Sequence, residues 1–144
     1  MLDDANLIPA ADESRLDREL RDYFEASGRV IVVATTPSLH GQPIESYATA
    51  MFNRLGIGDR QTNQGLLLLV APNERSLRIE VGRGLATTVS NAKAADIIDQ
   101  AIVPHFRKND FVGGIDEGVH ALIVTNECNL RDGVAALCPS KAGT

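Results

Sequence analysis

An α/β fold, with helices on both faces of a small mixed sheet, is what this 144-residue sequence predicts. Three observations lead there. Apolar residues recur at helical spacing over 10–26 and again from Ile44 to Leu55, with the β-branched run Val30–Ala34 between them. A continuous apolar stretch, Leu66–Ala71, meets the turn Pro72-Asn73-Glu74-Arg75 and then the alternating segment Leu77-Arg78-Ile79-Glu80-Val81. A buried strand joined by a tight turn to a strand with one solvated face reads as a hairpin. Two helical segments follow, so the order is α-β-α-β-β-α-α, a parallel β-α-β step and then an antiparallel return.

Each element has local reasons. The first helix places Leu16, Leu20, Tyr23 and Phe24 on one side, and Asp12 and Glu13 sit in its first turn, where the helix dipole favours acids. Pro9 suits its start and Gly28 its end. Thr35–Gly41 is a loop. Pro43 opens the second helix, in which Ile44, Tyr47, Ala48, Met51, Phe52 and Leu55 form the apolar stripe. Gly56 and Gly58 break it. In the hairpin, Leu77, Ile79 and Val81 face inward and Arg78 and Glu80 outward. Ser90 or Asn91 caps a third helix with Ala95, Ile98, Ala101 and Ile102 inward, and Pro104 marks its end or a kink. Asp110 caps the last helix, with Phe111, Ile115, Val119, Leu122 and Ile123 inward. Gly113, Gly114 and Gly118 either weaken that helix or allow close packing. The periodicity fades from about Glu127.

Composition narrows the function classes. Hydrophobic residues make up 44% and charged residues 23%, ordinary for a soluble globular domain, and the 4% aromatic content implies an aliphatic core. We expect one domain over 2–125 and a loosely ordered tail over 126–144. The formal net charge of −5 argues against nucleic acid or an anionic bilayer as the main partner. No apolar run approaches the roughly 20 residues that span a membrane. No signal peptide stands at the start, which fits either a cytosolic protein or one whose targeting segment was removed. Cys128 and Cys138 match no zinc spacing; they are either a small-loop disulfide or two thiols in the tail.

Few motifs carry chemistry. Gly82-Arg83-Gly84 follows a strand, but the third glycine of a dinucleotide loop would fall at Thr87. A phosphate-binding P-loop and a nucleophile elbow are both missing. His40, His105 and His120 are scattered. Asp59 and Asn63 place two oxygen-bearing side chains four apart in a polar loop, which suits either a hard cation or a solvated loop with local hydrogen bonds.

Several stretches stand in order: Asp3-Asp4-Ala5-Asn6-Leu7-Ile8, Pro43-Ile44-Glu45-Ser46-Tyr47-Ala48, Phe52-Asn53-Arg54-Leu55-Gly56-Ile57-Gly58-Asp59, the run from Gly65 to Arg75, Arg78-Ile79-Glu80-Val81-Gly82, and Ile102-Val103-Pro104-His105-Phe106. Together they resemble the TPM domain family, named for a photosynthetic lumen protein, a photosystem repair factor and an animal receptor accessory protein. The resemblance covers residues 2–125. It implies a Rossmann-like α/β/α sandwich with a small mixed sheet. It also implies export to the periplasm or another envelope-facing location, with a removed signal sequence. Some members are reported to bind calcium, weak acid phosphatase activity has been proposed, and others associate with membrane complexes.

The chain departs from the family pattern after the last strand. Where the family has a sequence similar to Gly-Tyr-Gly-Leu-Glu and then Leu-Thr-Asp-Ala, this chain has Gly82-Arg83-Gly84-Leu85-Ala86 and then Val89-Ser90-Asn91-Ala92. One carboxylate has become Ala86, a second the amide of Asn91, and a cation has arrived at Arg83. Calcium affinity falls with ligand charge, so a calcium site here is weakened.

Two functions follow as expectations. The favoured one is an envelope-facing interaction module with little or no catalysis and with a protein partner such as a membrane complex. The alternative is a weak metal-assisted phosphatase, with Asp3, Asp59, Asn63 and Asn91 placing the cation. In a third version the loop Gly82, Arg83, Gly84 and the next helix N-terminus bind an anion directly.

Overall fold

The computed structural model describes residues 2–57, 65–85 and 89–130, the last four by backbone alone. Eighteen residues form α1, Ala10–Ser27. It starts after Pro9 and ends on Gly28, whose left-handed φ of 76° lets its N–H reach back to the Phe24 carbonyl. Strand β2, Val30–Thr35, leads to α2, Ile44–Leu55, which ends the same way on Gly56 at φ 62°. The hairpin is β3, Gly65–Ala71, and β4, Ser76–Val81. Helix α3 spans Asn91–Ile97, a π-turn covers Ile98–Ile102, α4 is Val103–Phe106 and α5 runs Phe111–Leu130.

The sheet has one more strand than the pattern predicts. Residues Leu2–Asp3 form β1, parallel to β2, so the strand order is β1-β2-β3-β4. Two residues are too short for alternation to register in a sequence. Leu2 pairs with Ala34 and Asp3 with Thr35. Strand β3 is parallel to β2, with Thr35 opposite Val70, and antiparallel to β4, with Val70 opposite Leu77. The expected parallel step and antiparallel return are both present.

Burial divides by strand parity, as a pleated sheet requires. Leu66, Leu68 and Val70 face one layer with Leu16 and Leu20 of α1, Ile97 of α3 and Ile115, Val119 and Leu122 of α5. Leu67 and Leu69 face the other layer with Ala48 and Met51 of α2. All four leucines from Leu66 to Leu69 are fully buried. At about 1.5–3 kcal/mol for each buried side chain, this strand is the largest local contributor to the core. On β4, Leu77 and Val81 pack with the α1/α5 layer, while the hydroxyl of Thr49 on α2 donates to the Glu80 carboxylate at 3.1 Å. Helix α2 therefore covers part of the face that the sequence reads as solvated.

The helical faces need three corrections. Phe24 and Leu55 lie in the last turns of their helices and stay 48% and 41% exposed, while Tyr23 beside Phe24 carries the core contact of that turn. In the third helix the buried positions are Ala94, Ile97 and Ile102, with Ala95 exposed. The five-residue step from Ile97 to Ile102 is the π-turn, in which the Val103 N–H donates to the Ile98 carbonyl five residues back. Pro104 explains it: its ring would strike the carbonyl of Gln100 in a regular helix, and widening the preceding turn relieves that contact. Helix α5 continues past Glu127 to Leu130, so the helical backbone outlasts the visible periodicity.

The glycines of α5 serve close packing. A Cβ at Gly114 would run into the Phe106 ring and lie 3.1 Å from the Ile102 carbonyl oxygen; one at Gly118 would lie 2.7 Å from Ile102 Cδ1. The π-turn and α5 can approach so closely because both positions lack a side chain.

Candidate functional site

Two of the expected site residues, Asp3 and Gly82, stand at opposite ends of the sheet. Asp3 lies at the end where β2 and β3 finish, level with Thr35 and Val70. Its carboxylate is held on three sides. Oδ1 accepts the Leu7 N–H at 3.0 Å and the Thr35 hydroxyl at 2.7 Å, and Oδ2 accepts the Ile8 N–H at 2.9 Å. The Thr35 hydroxyl in turn accepts the Ala5 N–H at 2.9 Å. This node folds residues 3–8 back over the sheet and sets the entry to α1.

Gly82 lies at the other end, where its N–H donates to the Gly65 carbonyl at 2.8 Å. Five strand residues separate the Gly65 and Val70 levels, about 17 Å along β3. Asp3 and Gly82 therefore stand about a strand length apart. Asn91 is the exposed first residue of α3, next to the cap Ser90, whose hydroxyl accepts the Lys93 N–H at 3.1 Å. Arg83 and Gly84 are exposed in a 3-10 turn, Arg83–Leu85, closed by the Leu85 N–H on the Gly82 carbonyl at 3.0 Å. The Gly82 N–H bonds into the sheet and does not point to a ligand. Asp59, Asn63 and Ala86 lie outside the described residues, as does Cys138; the side chain of Cys128 does too. Among the described residues no three His, Cys, Asp or Glu side chains gather as a metal site. Of the two described ligands, Asp3 already accepts three protein hydrogen bonds and Asn91 offers a neutral amide, whereas a hard cation favours several anionic oxygens.

The Asp3 end of the sheet holds further structure. The turn after β3 clasps the loop after β2: the Asn73 side-chain amide donates to the Pro37 carbonyl at 2.7 Å, and the Glu74 carboxylate accepts the Leu39 N–H at 2.8 Å. Beside this turn a cavity of about 530 Å³ opens between the hairpin and the α4–α5 corner. Val70, Leu77, Val103, Phe106 and Phe111 give it apolar walls, and Arg75, Arg107 and Asn109 supply polar groups. Phe106 and Phe111 meet edge to face, with centroids 5.0 Å apart at 69°. Nothing in the periodicity singles out this cavity, because its residues come from β3, β4 and the segment around α4. One signal was present: an arginine closes a four-residue turn at a position that favours glycine.

A three-layer α/β/α sandwich built on a small mixed sheet, with functional candidates at the strand ends, is the class these observations define. The chain belongs to the TPM domain family, whose sequence model matches residues 1–125. Solved structures agree. The N-terminal domain of a protein from P. gingivalis superposes with a TM-score of 0.82 at 29% identity, over 90% of this chain and 82% of that one. The BA42 protein of the psychrophilic bacterium Bizionia argentinensis gives a TM-score of 0.71 at 20% identity, over 95% and 88%. The N-terminal domain of the cg2496 protein of Corynebacterium glutamicum gives 0.68 at 18%, over 92% and 82%. The last two show likeness of fold alone. Comparison with curated proteins finds no match. No helix among the described residues is long and apolar enough to cross a membrane.

Proposed function

We propose that this chain is an envelope-facing accessory module that works by binding a protein partner, such as a membrane complex, with little or no catalysis. The observation that carries this reading is what four of the described carboxylates do. Asp3 holds residues 3–8, Glu74 holds the β2–α2 loop, Asp110 caps α5, and Asp116 ties α5 to α1. Each joins two segments of backbone or two helices, and a carboxylate held in such bonds is not poised as a general acid or base. Phe24 of α1 and Leu55 of α2 are exposed apolar side chains on opposite layers, two separate points for a partner to cover rather than one patch. The P. gingivalis relative, itself an N-terminal domain, supports reading the fold as a module of a larger protein.

The test pairs two measurements on the purified chain. Crosslinking in envelope preparations is expected to recover a defined partner, and Phe24→Ser with Leu55→Ser is expected to weaken that recovery. Phosphoester hydrolysis is expected to stay at background with calcium, magnesium or manganese. Robust turnover that a chelator abolishes and Asp59→Ala reduces, without a recovered partner, overturns the proposal in favour of the metal-assisted phosphatase. A calcium titration by thermal melting reports on the cation site directly, since a ligand of the native state raises the melting temperature.

A further inference from the structure

We infer that the cavity between the hairpin turn and the α4–α5 corner is a binding site for a small amphipathic carboxylate, an anionic head on a short apolar chain. This goes beyond the accessory role and does not depend on it. The cavity of about 530 Å³ falls within the range that small-molecule sites occupy, about 300–1,000 Å³. Its walls are aliphatic and aromatic, from Val70, Leu77, Val103, Phe106 and Phe111. Such a surface takes a hydrocarbon chain.

The polar part is cationic. Arg75 and Arg107 both line the cavity and both are exposed. Neither has an ion pair or side-chain hydrogen bond among the described residues, whereas Arg15, Arg21 and Arg78 each hold a carboxylate. In a chain with a net charge of −5, two uncompensated guanidinium groups on one cavity create a local positive field. The planar fork of arginine matches a carboxylate, so head and chain are both provided for.

Backbone strain points the same way. Arg75 sits at φ 55°, closing the turn with its N–H on the Pro72 carbonyl at 3.1 Å. Asn109, across the cavity, sits at φ 60°, a conformation that asparagine adopts readily, so the strain is at Arg75. Glycine would occupy the Arg75 position without strain, since the left-handed region costs a side chain free energy. The strained turn keeps a guanidinium at the cavity mouth.

The experiment titrates octanoate into the chain, with octanol as the same chain uncharged and acetate as the head without a chain, followed by NMR shifts. Octanoate is expected to shift resonances of Leu77, Val103, Phe106 and Phe111. Arg75→Gln with Arg107→Gln is expected to weaken octanoate about tenfold or more and to leave octanol unchanged. Arg75→Gly is expected to weaken octanoate while the melting temperature holds or rises, which separates lost binding from lost folding. The inference is overturned if octanol binds as well as octanoate, if the arginine variants bind octanoate undiminished, if the shifts map elsewhere, or if octanoate fails to bind up to about 10 mM.

Discussion

The Thr35 hydroxyl donates to Asp3 Oδ1 at 2.7 Å, across the parallel pair that β1 makes with β2. Thr35 is buried, and the same hydroxyl accepts the Ala5 N–H. Through this contact a two-residue strand and the turn after it are fixed to the centre of the sheet.

Asp3→Ala is therefore expected to destabilise the fold by about 1.5–3 kcal/mol, because it strands the Leu7 and Ile8 N–H groups and the Thr35 hydroxyl at once. Denaturant unfolding checks it. The same variant is expected to leave any calcium response unchanged, since the Asp3 carboxylate is taken up by the Leu7 and Ile8 N–H groups and the Thr35 hydroxyl. A calcium response that disappears in Asp3→Ala, while the variant stays folded, would make Asp3 a ligand.

Gly114→Ala tests the packing of α5 on the π-turn. Helix propensity alone would make it stabilising by about 1 kcal/mol. The added Cβ meets the Phe106 ring and the Ile102 carbonyl, and overpacking of this kind costs about 1–3 kcal/mol. The contact includes backbone, which cannot swing aside, so the expected net effect is a lower melting temperature. Because Phe106 lines the cavity, its resonances are expected to move as well.

Acid stability should depend on the cap of α5. Asp110 accepts from the Gly113 N–H at 3.0 Å and pairs with His105 Nδ1 at 2.9 Å. The His105 hydrogen bond first, and the Gly113 N–H second, hold its carboxyl below the usual carboxylate range. A depressed native value means that the stabilisation is present above the ordinary carboxylate pKa and is lost as pH falls through the native one. Melting temperatures measured from about pH 6 down to about pH 2 are expected to fall less steeply in Asp110→Asn than in the parent chain.

Arg15 bridges α1 to α5 with a two-pronged contact to Asp116, at 3.0 and 2.9 Å. The bond to Asp116 raises the guanidinium pKa further above its ordinary value, so the arginine stays charged at any working pH. The pair is partly solvated, with the two side chains 40% and 33% exposed. A double-mutant cycle of Arg15→Ala and Asp116→Ala is expected to give a coupling of about 0.5–1 kcal/mol, falling with added salt. A coupling indistinguishable from zero would show that the paired geometry adds nothing to the association of the two helices.

Legibility of the sequence followed the length and regularity of each segment. The helices α1 and α2, strands β2, β3 and β4, the cap at Asp110 and the family could all be read, because each rests on a repeated period or on a local rule about proline, glycine or an acidic cap. The site was less legible. Asp3 looked like a ligand because its class of side chain suits a cation, and only the positions of Leu7, Ile8 and Thr35 around it show a structural role. Arg75 and Arg107 are 32 positions apart, and no pattern in one chain direction joins them.

The sequence by itself determined the layers and the hairpin, since helical spacing, a continuous apolar run, a tight turn and an alternating segment are all local patterns; the register, and which leucines face which layer, came with the fold. Tertiary structure decided which loops share an end of the sheet. It added β1, whose two residues have no period to display, and it shifted the third helix by a π-turn that Pro104 imposes. It placed Asp3 a strand length from Gly82 and brought two distant arginines to one apolar cavity. The physical reason is the range of the forces. Periodicity and capping act over a few neighbouring residues, whereas a site is assembled by segments that meet only after the chain has packed.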